Sequence, residues 1–127
     1  MNLAKVFVAG VMLIGSVGTA VAQDAAAGED VFKKCKACHD IGEGAKNKVG
    51  PQLNGILGRK SGTVEGFNYS DANKAAGEKG LVWTEAELDK YLLDPRAYMP
   101  GNKMAFAGLK DEQDRKDLIA YIKKASK

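Results

Sequence analysis

Apolar positions recur at helical spacing in three stretches of this 127-residue chain, separated by polar, glycine-punctuated segments. In the first, Ala25 to Cys38, Val31, Phe32 and Cys35 share one side and Asp24 stands where it can cap the start. The second opens at Thr84 as N-cap with Glu87 at the capping-box position. Leu88, Tyr91 and Leu92 form its apolar face, and Pro95 ends it. The third is the best marked. Asp111 caps it and Asp114 takes the capping-box place; Leu118, Ile119, Tyr121 and Ile122 make its face. Lys123, Lys124 and Lys127 favour its C-terminal dipole. A short polar helix over Ser70 to Ala76, ended by Gly77, is also predicted.

Between these lie two long loops. Ile41 to Gly62 carries Gly42, Gly44, Gly50, Pro51, Gly55, Gly58 and Gly62, with Leu53, Ile56 and Leu57 pointing inward. Arg96 to Leu109 carries Pro100, Gly101 and Gly108. No strand alternation, repeat or linker is visible. The pattern predicts an all-α domain of three main helices, two at the ends and one central. Loops this long need support in a compact domain. The chain has 15 glycines and a single Trp, so its own core is modest. Its two cysteines lie too close in sequence to form a framework of several disulfides. A large apolar cofactor packed between the loops would supply what is missing.

The N-terminus has a different character. Lys5 makes a basic start, Val6 to Ile14 is almost wholly apolar, and Ala20-Val21-Ala22 is a small-x-small cleavage site before Gln23. Residues 1–22 are therefore expected to be a signal peptide and residues 23–127 one exported domain. The alternative is an uncleaved membrane anchor; the apolar stretch is marginal for a bilayer and is interrupted by Gly10, Gly15 and Gly18. The formal charge of +3 falls by one when Lys5 is removed. Such a balance gives no reason to expect nucleic acid. Its distribution says more: Lys33, Lys34, Lys36, Lys46 and Lys48 surround the cysteines, while Lys103 and Lys110 flank a second candidate site that includes Met104.

Cys35-Lys36-Ala37-Cys38-His39 is C-x-x-C-H, the attachment signature of c-type haem. Two thiols at this spacing meet the two vinyl groups of one haem, and the next imidazole reaches the iron. A thioredoxin-like pair would need a preceding strand, which is absent from the pattern. Zinc would need four ligands, and His39 is the only histidine. A plain disulfide is the remaining alternative. With one histidine, bis-histidine ligation is excluded, and the sixth ligand falls to Met99 or Met104. Gly101 and Gly108 can bend the chain around Met104, which favours it; core packing is the other role open to either.

The chain resembles the class I cytochromes c, closest to the soluble periplasmic cytochromes of photosynthetic and respiratory proteobacteria and to mitochondrial cytochrome c. The resemblance spans nearly all of 25–126. It rests on Cys35–His39, Lys48-Val49-Gly50-Pro51, Leu57-Gly58-Arg59, Tyr69 to Lys74, Tyr98 to Met104 and Asp117 to Ile122. It implies one covalent haem c attached at Cys35 and Cys38, with His39 and Met104 as axial ligands. It makes the Pro51 carbonyl the partner of His39. Arg59, Tyr69 and Trp83 match residues that hold the propionates; Asn73 and Tyr91 match polar residues near the distal ligand. Gly28, Phe32, Leu118 and Tyr121 match the contact of the terminal helices. The stretch from Asn73 to Trp83 is three residues longer than in the mitochondrial form. The implied function is non-enzymatic: a monomeric single-electron carrier in the periplasm. Its donor would be a cytochrome bc complex, and its acceptor a terminal oxidase, a photosynthetic reaction centre or another periplasmic reductase. The competing function, a haem enzyme or gas sensor, would need an open or labile sixth site.

Overall fold

The computed structural model describes residues 9–11, 15 and 22–127, so the leader expected at 1–22 lies almost wholly outside the described residues. Among the described residues five helices follow one another: α1 (Ala25–Phe32), α2 (Asp71–Glu78), α3 (Glu85–Leu93), α4 (Pro95–Tyr98) and α5 (Glu112–Ala125). Among the described residues, β pairing amounts to one antiparallel bridge between Lys60 and Val82. The chain is all-α, and no described helix is long and apolar enough to cross a membrane.

The terminal helices hold each other. Asp24 caps α1 by accepting from the N–H groups of Ala26 and Ala27, and its own N–H donates to the Asp117 carboxylate on α5 at 2.9 Å. Gly28 makes the crossing possible: a Cβ there would come within 2.9 Å of Tyr121 Cβ. Phe32 and Tyr121 stack at 5.2 Å between ring centres, and Leu118, Ile119 and Ile122 turn the other face of α5 into the core. Arg115 braces α5 from the side. It is buried, donates to the Asp89 carboxylate on α3 at 3.0 Å, and also bonds the carbonyls of Leu109 and Lys110.

Several boundaries differ from the pattern. The first helix ends at Phe32, not Cys38. Beyond it the chain continues in tight turns, with Lys36 N–H on Phe32 O at 3.1 Å and His39 N–H on Cys35 O at 2.9 Å. Such turns repeat every three to four residues, so apolar spacing does not distinguish them from regular helix. The second helix runs through Gly77, which lies flat against the Ser61 carbonyl where a side chain would not fit. Pro95 does end α3, but it is also the first residue of α4, capped by Asp94; the segment expected to be loop from Arg96 begins as helix. Thr84 caps α3 through the Glu87 N–H at 3.1 Å, yet the reciprocal half of the box is absent. The Thr84 N–H is taken by Val82 O, and the Glu87 carboxylate accepts from Tyr98 OH and Lys90.

Candidate functional site

A cavity of about 300 Å3 opens between α3, α5 and the two long loops. Its wall carries all ten site residues singled out from the sequence: Cys35, Cys38, His39, Pro51, Arg59, Tyr69, Asn73, Trp83, Tyr91 and Met104. These come from segments up to 69 positions apart, between Cys35 and Met104. The rest of the lining is largely apolar and includes Leu53, Ile56, Leu88, Phe106, Leu118 and Ile122.

The loop after Cys38 is built around His39. The Gly50 N–H donates to the Cys38 carbonyl at 2.8 Å, and Leu53 N–H to the Asp40 carbonyl at 2.9 Å, which folds Pro51 back over the imidazole. Pro51 O lies 2.8 Å from His39 Nδ1. A carbonyl only accepts, so the proton is on Nδ1 and Nε2 keeps its lone pair. Burial lowers the His39 pKa, against the opposing pull of the Pro51 bond, and so favours the neutral ring a metal requires. The Cys35 thiol is pushed up to about 11, chiefly by burial and then by Cys38 beside it. The two cysteines form no disulfide.

Polar groups interrupt the apolar lining. Arg59 donates through Nη1 to the carbonyls of Gln52 and Asn54, both at 3.1 Å; burial lowers its pKa. The Tyr69 hydroxyl accepts from Val64 N–H at 3.0 Å, which leaves its own proton for an acceptor. Asn73 Oδ1 accepts from the buried Ser61 hydroxyl at 3.1 Å. Trp83 and Tyr91 pack at 4.9 Å between ring centres, and the Tyr91 hydroxyl donates to Met104 Sδ at 3.8 Å. Met99 is not on the wall; it lies in the hydrophobic core at 5% exposure.

The donor set is one neutral imidazole nitrogen, one thioether and two thiols around a largely apolar space. Gly50 lies so close to the His39 ring that any side chain would displace it. These features fit a haem bound through two thioethers. Among the described residues no three His, Cys, Asp or Glu side chains gather as a metal site, which leaves the zinc alternative without ligands. Pattern reading passed over Gly50, Asn54, Ser61, Asn102 and Arg115. Their roles depend on what lies across the fold or on a hydrogen-bond set within a turn.

Comparison with known proteins agrees with this geometry. The family model for cytochrome c matches residues 25–126. Cytochrome c2 of Blastochloris viridis is 62% identical over 112 residues, covering 88% of this chain and 86% of the relative. Cytochrome c-550 of Ancylobacter novellus is 61% identical over 98 residues, 77% of this chain and 92% of the relative. Among solved structures, cytochrome c2 from Rhodospirillum centenum superposes with a TM-score of 0.78 at 48% identity, covering 82% of this chain and 99% of that one.

Proposed function

The chain belongs to the cytochrome c family and is an electron carrier with one covalently bound haem c, and from that premise we propose how its own residues hold and tune the group. Cys35 and Cys38 would form the thioethers, and His39 and Met104 would hold the iron. Tyr69, Trp83 and Arg59 would receive the propionates, with Asn73 and Tyr91 on the cavity wall beside Met104. The observation that carries this reading is the single wall shared by all ten residues, with Met104 under the Tyr91 hydroxyl and Met99 outside it.

When bound, the haem supplies a one-electron ferric–ferrous couple. Pro51 keeps His39 in the tautomer that presents Nε2, so the imidazole arrives neutral and oriented. The Met104 thioether is a soft, neutral donor, which favours the reduced state. Tyr91 directs the sulfur lone pairs by donating to one of them. Apolar walls from α3 and α5 keep water off the iron and disfavour the more highly charged oxidised state. Arg59 would offset the charge of the haem carboxylates.

Residues 1–22 direct export and are removed, so the mature carrier starts at Gln23 and works in the periplasm. A cytochrome bc complex donates the electron. A terminal oxidase, photosynthetic reaction centre or other periplasmic reductase accepts it. One visible spectrum tests the central claim: sharp reduced c-type bands unchanged by carbon monoxide are expected, whereas an immediate full shift on adding the gas means an open sixth site. Met104→Ala should abolish the near-infrared sulfur-to-iron band, and Met99→Leu should leave it. The reverse would assign the ligand to Met99.

A further inference from the structure

The two methionines of one short segment have opposite fates. Met99 points into the core at 5% exposure, while Met104 lines the cavity. Between them the chain turns at Gly101, whose φ of +89° is in the left-handed region. Pro100, Gly101 and Lys103 are exposed, so apolar packing does not hold the turn. A side chain within the turn does.

Asn102 spends its whole amide on this segment. Nδ2 donates to the carbonyls of Met99 at 2.8 Å and Pro95 at 2.9 Å. Oδ1 accepts from the Met104 N–H at 2.9 Å. Its backbone N–H adds a bond to the same Met99 carbonyl at 3.2 Å. One planar group therefore grips the end of α4, the backbone of Met99 and the backbone of Met104. That requires two N–H donors and an acceptor on a short stem. Among side chains of this length, asparagine alone has them: aspartate only accepts, and serine or threonine offers one donor.

We propose that Asn102 is the positioning residue that holds Met104, and not Met99, toward the haem and sets how readily Met104 yields to an external ligand. The proposal rests on Met104 being the axial ligand. With the Met99 carbonyl gripped, the end of α4 cannot rotate, and the Met99 side chain stays in the core. With the Met104 N–H gripped, its side chain leaves the turn in one direction. Without the amide, rotation about Gly101 frees both. One hydrogen bond toward the weaker end of the usual range shifts an opening equilibrium by roughly threefold, so losing the two donations shifts it by about tenfold or more.

The test uses the complete haem-loaded protein and two variants. In the reduced wild type, the ring-current-shifted methionine methyl signal in NMR should be assigned to Met104. Imidazole is then titrated into the oxidised proteins. Asn102→Asp keeps the acceptor for Met104 N–H and loses both donations; its imidazole affinity should rise about tenfold. Asn102→Ala loses all three side-chain bonds and should bind imidazole more tightly still. If the alanine variant does not assemble, the near-isosteric aspartate variant decides. Both readouts are taken far from the unfolding transition, where general destabilisation leaves them unchanged. Wild-type imidazole affinity in the variants, with the methyl signal on Met104, overturns the role of Asn102 and leaves the ligand assignment standing. A shifted methyl assigned to Met99 overturns both.

Discussion

Gly50 lies flat against the imidazole of His39: a methyl group there would come within 2.7 Å of Nδ1 and 2.8 Å of Nε2. The glycine, its bond to Cys38 O and the Pro51 carbonyl together leave the ring one position. Gly50→Ala should therefore force the imidazole away from the plane it presents to the haem. The expected result is a much lower yield of haem-loaded protein, scored by haem stain. Any protein that does assemble should be less stable by about 1–3 kcal/mol, the usual cost of overpacking.

Gly28 tests the contact of the terminal helices. A Cβ would fall 2.5 Å from the Asp117 carbonyl carbon and 2.9 Å from Tyr121 Cβ, and backbone cannot swing aside as a side chain does. Gly28→Ala should separate α1 from α5 and cost about 1–3 kcal/mol. In a domain of this size that lowers the melting temperature by roughly 4–8 °C per kcal/mol. Calorimetry of the loaded protein would measure it, and an unchanged melting temperature would mean that the helices slide without cost.

What could be read from the sequence was local. Asp24, Thr84 and Asp111 cap their helices through N–H groups two or three residues on, so the signal and its partner fall in one short window. The donor set was legible because Cys35, Cys38 and His39 are adjacent and methionines are few. Glu87 shows the limit. Its position matched a capping box, but Tyr98, eleven residues on and brought back by α4, offers a hydroxyl that the carboxylate takes instead. Arg115 and Gly50 were invisible for the same reason: their partners, Asp89 and His39, are adjacent only in the fold. Nor does composition alone reveal what the Asn102 amide grips.

The Glu87–Tyr98 pair makes stability depend on pH at both extremes. The Tyr98 hydroxyl, and after it Lys90, hold the Glu87 carboxyl below its usual range. A depressed carboxylate contributes fully above its unfolded value, and the contribution fades as pH falls through the folded one. Tyr98 is pushed up to about 12, first by burial and then by Glu87. A raised phenol contributes fully below its ordinary value, and stability declines as pH climbs from there through about 12. Melting curves by circular dichroism should show Glu87→Gln flattening the acid limb and Tyr98→Phe flattening the alkaline one. Unaltered limbs in both variants would show that other groups set the profile.

Much of this domain's interior is organised around the haem. Without the haem the apolar residues that line the cavity would face water instead of a packed partner, and the whole stability of a small domain is only about 5–15 kcal/mol. Cys35→Ser combined with Cys38→Ser should therefore yield a chain without thioethers and with little native helix in far-ultraviolet circular dichroism. Full helix content without haem would show that α1, α3 and α5 stand on their mutual packing alone.

Docking should depend on the cavity mouth. Lys34 and Lys103 are exposed on its wall, and Val49 lies there too at 78% exposure. Lys48, next to Val49, is exposed and donates to the Lys36 carbonyl at 2.7 Å, which holds its charge close to the apolar spot. An apolar contact ringed by ammonium groups suits a partner with the opposite layout, carboxylates around a small apolar patch. Long-range attraction acts mainly on the association rate and is screened over about 10 Å at 0.1 M salt. Reversing Lys34, Lys48 and Lys103 to glutamate should cut the bimolecular electron-transfer rate with an acidic partner by about tenfold or more at low ionic strength, and the difference should shrink as salt is added. Reversing Lys74, Lys79 and Lys124 together, three exposed lysines outside the cavity wall, should change the rate far less. Equal losses for both sets would mean that net charge, and not the mouth of the cavity, governs encounter.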